Sequence, residues 1–213
     1  APTSYQVHEL LWEEIRKLHA RGNLQGEVNQ KDVWKKPVYG VMSTVGSGQK
    51  PSDTNIHSFH GVHRVEGVLT ILDEGCGIGK ALYPPADAIS RGKNDRVLVV
   101  ANPDDPQAPF GDIFLKPTQK LDGTEMWNKI TVSAFDTPNF TGEEVPDVVK
   151  ESLIQKDWVE ERAQEWGVES GRYRSKILGE FPDQSDNSFF SQRVIDTGIE
   201  TDIIEDYENP LKL

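Results

Sequence analysis

Asp73 and Glu74 close an apolar run, Val68-Leu69-Thr70-Ile71-Leu72, and are followed at once by Gly75. Adjacent carboxylates at the end of such a run suit two tasks: holding a divalent cation and taking a proton from water. In a sheet that hydrolyses a nucleotide this is a Walker B arrangement. Asp73 would hold the magnesium that bridges two phosphates, and Glu74 would polarise the attacking water. A buried carboxylate must be paired or metal-bound. The alternative is that the two acids simply open a solvated loop, and on the pair alone that reading fits equally well.

A second apolar run, Arg96-Val97-Leu98-Val99-Val100-Ala101, ends in Asn102-Pro103. An amide at the tip of a neighbouring strand can hydrogen-bond the attacking water or a γ-phosphate and so report which nucleotide is bound. A turn-forming Asn-Pro accounts for the same residues. His57, His60 and His63 recur every third position and could place imidazoles near a metal. The intervening Phe59 and Gly61, with no acid or thiolate at matching spacing, favour packing and polar surface instead. Cys76 is the single cysteine, and in a glycine-rich loop it reads as a packing residue rather than a nucleophile.

Lys31, Lys35 and Lys36 surround Trp34 and could touch a nucleic acid strand, but a solvated loop with one anchoring tryptophan fits better. Arg172, Arg174 and Lys176 could contact nucleotide or DNA, with surface ion pairing again the better fit. A phosphate cradle is missing. Gly75-Cys76-Gly77-Ile78-Gly79-Lys80 suggests one, but a P-loop needs glycine, four residues, then Gly-Lys-Ser/Thr. Glu74 stands where the first glycine belongs, and Ala81 stands at the magnesium-binding hydroxyl position. Nothing else in the 213 residues qualifies.

The elements that must position these groups follow from periodicity. Ser4 to His19 predicts a helix, capped by Thr3 or Ser4, with Val7, Leu10, Leu11, Ile15 and Leu18 on one face and Gly22 as its stop. Residues 23–36 read as a polar connection, 38–45 as a strand, and Gly46-Ser47-Gly48 as a loop. The glycine-bounded run at 66–72 reads as a strand buried on both faces of a parallel sheet, whose C-terminal edge is where such sheets place ligands. A short helix at 82–89 tolerates Pro84 and Pro85 only in its first turn. Strands follow at 96–101 and 127–135, separated by an irregular excursion at 104–124. Helices are predicted near 146–155, 156–166 and 170–179, broken at Gly167 and Gly179, and a short one near 191–197.

The net charge is −12. Residues 1–64 carry eight Lys or Arg against six Asp or Glu, so the excess of acid lies beyond them, notably at 143–169. Such a body does not grip nucleic acid by bulk electrostatics, and any DNA contact must be local. One cysteine excludes an internal disulfide framework and points to a reducing compartment. No apolar stretch approaches the ~20 residues of a membrane span.

Taken together, these landmarks resemble the large terminase subunit of tailed bacteriophages, the ATPase that drives genome packaging. The resemblance rests on Ala1-Pro2-Thr3 with Gln6-Val7 and Leu11-Trp12, Phe59-x-Gly61-x-His63, Val68 to Glu74, Arg96 to Asp105, Ile130 to Glu143, and Leu178 to Asp183. It implies an α/β fold: a partial, mostly parallel P-loop NTPase-type sheet flanked by helices, with a small helical C-terminal subdomain. Residues 1–136 would be an incomplete packaging-ATPase core, 137–182 a helical subdomain, and 183–213 an acidic linker towards a nuclease domain. Asp73 and Glu74 then match the Walker B pair, Asn102 the motif coupling hydrolysis to movement, and Gly75 stands where alanine is more usual. Arg64 and Arg91 are arginine-finger candidates by position. The cofactors implied are ATP and magnesium. The partners implied are double-stranded DNA, portal protein, the small terminase subunit and further copies of the chain, without a membrane, in a packaging complex of the host cytoplasm.

Without a P-loop the chain alone is expected to show negligible ATPase activity, and a preceding segment is expected to complete the site. The competing expectation is a non-catalytic module, a split or decayed ATPase half that docks on portal, small terminase or DNA. A nuclease is disfavoured, because Asp202 and Asp206 do not end an apolar strand.

Overall fold

The computed structural model describes residues 1–50, 64–89, 91–120 and 122–183. The chain divides into two compact units, Ala1–Ala101 and Asn102–Leu213, so the boundary drawn at 136 falls inside the second. His57, His60 and His63, Asp202 and Asp206, and the helix expected near 191–197 lie outside the described residues.

In the first unit Thr3 caps the opening helix reciprocally. Its hydroxyl accepts from the Gln6 amide at 3.2 Å, and its own amide donates to Gln6 Oε1 at 3.1 Å, a capping box. A widened turn, Gln6–Leu11, leads into α1, Trp12–Arg21, which stops at Gly22. The Trp12 amide bonds the Val7 carbonyl five residues back. That extra residue per turn breaks the three-and-four spacing. Val7 and Trp12 are therefore the buried pair, while Leu10, Leu11 and Leu18, expected on the buried face, are exposed.

Residues 23–36, expected as an irregular connection, instead supply two strands. β1, Glu27–Val28, pairs antiparallel with β2, Val33–Val38, which pairs antiparallel with β3, Val41–Ser47. Tyr39 and Gly40, both at positive φ (51° and 80°), make the two-residue turn whose twist matches a hairpin. Gly46 lies inside β3 rather than in a loop because Trp12 packs there. A β-carbon on neighbouring Gly48 would come within 1.9 Å of Trp12 Nε1. Asp32, fully buried at 0% exposure, joins the base of the hairpin to the helix, accepting from Arg16 Nη1 at 3.2 Å and pairing with His8 Nδ1.

β4, Leu69–Asp73, pairs in parallel with β5, Arg96–Val100, in the register Leu69↔Arg96 to Asp73↔Val100. Asp95 ties their starts together: its carboxylate accepts from the Val68 amide at 2.8 Å and the Gly92 amide at 2.6 Å. Between the strands runs α2, Tyr83–Ile89, with Pro84 and Pro85 in its first turn. Leu72, Ile78, Leu82 and Ala86 form a core with Tyr83 and Val99. The expectation of a strand buried on both faces fails. Leu72 is 6% exposed, but Leu69 and Ile71 are 60% and 54% exposed and Leu98 and Val100 lie equally open. Among the described residues of this unit, the face towards α2 is the covered one.

In the second unit the excursion after Asn102 contains α3, Pro109–Leu115, whose Phe110 and Phe114 pack with Phe181 at centroid distances of 5.0–5.8 Å. The strand expected at 127–135 is not formed. Ser133 and Asp136 instead make a reciprocal capping box over the turn Ala134–Asp136, and Ile130 and Val132 are exposed. The helices are α4 (Pro138–Thr141), α5 (Asp147–Ser152), α6 (Lys156–Trp166) and α7 (Gly171–Tyr173), the last continuing as a widened turn, Arg174–Leu178, that ends at left-handed Gly179. Ala134, Val159, Tyr173 and Ile177 are their shared core. Asn139 staples them, donating to the carbonyls of Lys150 (2.9 Å) and Ile154 (3.0 Å).

Candidate functional site

Asp73 is the last residue of β4 and Glu74 the first beyond it, both half-buried. Parallel pairing places them at the C-terminal end of the strand pair, where α/β sheets bind ligands. Glu74 adopts φ 55°, ψ 49°, a left-handed conformation that costs a non-glycine residue roughly 1–2 kcal/mol and that clusters at functional sites. The following turn, Gly75–Gly77, holds it. The amides of Gly77 and Ile78 donate to the carbonyls of Glu74 (2.8 Å) and Gly75 (3.1 Å). The Tyr83 hydroxyl donates to the Gly75 carbonyl at 2.9 Å, and burial pushes the Tyr83 phenol up to about 12, with Cys76 adding to the shift.

Those turn amides are spent on backbone carbonyls, so this glycine-rich loop is no phosphate cradle, in keeping with the failed P-loop spacing. The turn Ala1-Pro2-Thr3 lies beside the acids. A β-carbon on Gly77 would meet Pro2 Cγ at 3.1 Å. Burial holds the Ala1 ammonium below the usual amino range, opposed by the charge of Asp73.

Arg64 and Arg91 are placed apart from the acids. Arg64 is an exposed residue whose carbonyl accepts from the Gly67 amide at 3.2 Å. Arg91 is also exposed and adjoins Gly92, which Asp95 ties to the start of β5. Both therefore sit at the N-terminal end of the strands, a strand length of roughly 13 Å from the acids. Asn102 is exposed and opens the second unit. Its carbonyl accepts from the Asp104 amide at 2.9 Å. Asp104 in turn pairs with Lys176 at 2.8 Å and accepts from the buried Ser175 hydroxyl, which anchors the loop after Asn102 to the helix beyond Tyr173.

Of the basic cluster, Arg174 pairs with Asp183 (2.8 Å) and Glu180 (3.4 Å), and Arg172 stacks over Trp166 at 4.3 Å. Trp34 is an anchor, its Nε1 donating to the Gln25 carbonyl at 2.9 Å. Sequence reasoning missed Tyr83, Asp95 and Asp104. Only Asp104 carried a signal, lying within the Arg96 to Asp105 landmark.

Among the described residues no three His, Cys, Asp or Glu side chains converge on a metal cage. A magnesium shared with phosphate oxygens needs only one or two carboxylates, which Asp73 with Glu74 can supply. The pair fits the cation-and-water half of a nucleotide site, and the phosphate half has no counterpart in it. No helix of the described residues is long and apolar enough to cross a membrane. Comparison of the chain with protein-family models, with curated proteins and with solved structures found no match.

Proposed function

We propose that the chain is the hydrolytic part of a packaging ATPase, a P-loop NTPase-type motor segment of the large terminase kind that moves double-stranded DNA into a viral procapsid. The observation that carries this reading is the acid pair: Asp73 ends β4 in parallel register with β5, and Glu74 follows in a left-handed conformation. The open apolar face of the strand pair supports it further, since parallel strands are ordinarily covered on both faces and a complementing segment would cover this one.

In this reading Asp73 would hold magnesium, which when bound supplies charge neutralisation to the β- and γ-phosphates. Glu74 takes the proton of the attacking water, and the tight turn behind it, tied by Tyr83, keeps its backbone in place. Asn102 registers the state of the γ-phosphate. Asp104, gripping Ser175 and Lys176, passes that state from its loop to the helices of the second unit. The phosphates themselves need a P-loop that these residues do not contain.

The test is to join a strand–P-loop–helix segment ahead of Ala1 and assay ATP turnover. The account expects negligible turnover by the chain alone, magnesium-dependent turnover by the fusion, and loss of that turnover with Asp73→Asn. A folded fusion that binds but never hydrolyses ATP would favour the docking-module reading, with portal, small terminase or DNA as its partner.

A further inference from the structure

β3 is an edge strand. The sheet order is β1-β2-β3, and among the described residues no strand pairs with the outer side of β3. A two-residue turn closes on a hydrogen-bonded pair, here Val38↔Val41, and antiparallel bonding alternates from there. Val41 and Ser43 therefore spend their backbone groups on β2, while Met42 and Thr44 turn theirs outward. Pro37 fits this phase. It stands opposite Met42, and a residue without an N–H is tolerated there because its nitrogen faces away from β3.

Proteins blunt such edges with charge, proline, bulges or cover. From Val41 to Gly48 the strand has no charged residue and no proline, in a chain that is 27% charged. Val41 is 66% and Met42 54% exposed. The blunting device present is a bulge that leaves Val45 unopposed between Thr44 and Gly46, and it spares the stretch from Val41 to Thr44. That stretch is a template for a further strand.

The strand best placed to use it is its own copy. A two-fold axis at Ser43 sets Met42 opposite the partner's Thr44, and Thr44 opposite the partner's Met42. These are the outward-facing residues, so each pair exchanges both of its N–H···O bonds. The residue on the axis is a small serine, and neither strand brings a charge that would be desolvated unpaired. We infer that two copies of the chain associate edge to edge through antiparallel β3 strands, joining two three-stranded sheets into one continuous sheet. The contact is isologous and closes at the dimer. It needs nothing from the packaging reading and stands if that reading falls.

So short an edge buries less than the ~1,200 Å² of a stable interface, which places Kd above about 1 μM. Each copy carries a net charge of −12, and mutual repulsion opposes association. Since the strands themselves carry no charge, salt should screen that repulsion and strengthen the dimer.

The test is sedimentation equilibrium of the whole chain from about 10 to about 500 μM, at about 50 and about 500 mM salt. The expected result is a reversible monomer–dimer equilibrium that goes no further and tightens at the higher salt. Thr44→Pro removes an outward N–H and leaves the bonds to β2, and Met42→Lys sets a charge on the edge. Each should weaken dimerisation about tenfold or more. Leu98→Lys, on the open face of the β4–β5 pair, should dimerise as the parent does. Circular dichroism checks that each variant is folded. A parent chain that stays monomeric at the highest concentration in both salts overturns the assignment. So do folded Thr44→Pro and Met42→Lys variants that associate like the parent, or association that weakens with salt. Loss of the dimer in Leu98→Lys would move the contact to the open β4–β5 face and overturn it equally.

Discussion

The hydroxyl of Tyr83, at the start of α2, donates to the carbonyl of Gly75, the residue after the acid pair, at 2.9 Å. That bond links the core-facing helix to the backbone that keeps Glu74 left-handed. Burial raises the phenol to about 12, above the unfolded value of about 10. The folded state thus keeps a proton that the unfolded chain gives up. The stabilisation is complete below about pH 10 and is lost as pH rises towards about 12. Urea midpoints should fall over that window in the parent chain and fall less in Tyr83→Phe. Equal alkaline loss in both would show that Tyr83 is not the group responsible.

Asp32 is buried against the Arg16 guanidinium and the His8 ring, at φ 55°. Asn tolerates that left-handed backbone where Ala does not, so Asp32→Asn isolates the charge. Arg16 and His8 can partly re-solvate, which keeps the loss near that of a charged hydrogen bond, about 1.5–3 kcal/mol. Chemical denaturation of the first unit should show it, and Asp32→Ala should lose more.

Asn139 satisfies two carbonyls at once, those of Lys150 and Ile154. Asn139→Ala should destabilise the second unit by about 1–3 kcal/mol. Asn139→Asp should be at least as harmful, because an ionised carboxylate has no proton to donate. An innocuous Asp variant in thermal denaturation at neutral pH would contradict the staple.

Asp104 holds two partners of unequal weight. The Lys176 pair is largely exposed, so Lys176→Ala should lose less than about 1 kcal/mol. Asp104→Ala also leaves the buried Ser175 hydroxyl without its acceptor, and should lose about 1–3 kcal/mol. In the P-loop fusion, Asp104→Ala is expected to keep basal ATP turnover and to lose its stimulation by duplex DNA. Unchanged stimulation would remove Asp104 from the coupling path.

The strands that carry the acid pair were legible because Leu69 to Leu72 and Val97 to Val100 are β-branched or long apolar runs ending in polar residues. The partial burial of those runs was not legible. Periodicity reports that a residue is apolar, and it does not report whether anything covers it. The hairpin was half seen, because Tyr39-Gly40 is an unusual pair for a type I′ turn and the lysines of β2 mimic a loop. Trp127 to Phe135 reads as a strand by β-branching at Ile130, Thr131 and Val132, yet Ser133 and Asp136 cap a turn there. The Ser133-to-Asn139 stretch lies within the Ile130 to Glu143 landmark. Its residues serve the helical unit structurally, through the Ser133–Asp136 cap and the Asn139 staple.

The role of Glu74 is tested most directly by comparing the P-loop fusion with its Glu74→Gln variant in steady-state ATP hydrolysis and in magnesium-nucleotide binding. If Glu74 handles the proton of the attacking water, kcat falls by about 10²–10⁴-fold and nucleotide affinity stays as in the parent. If turnover persists within a few-fold of the parent, or if nucleotide binding falls in step with kcat, Glu74 is not the catalytic carboxylate.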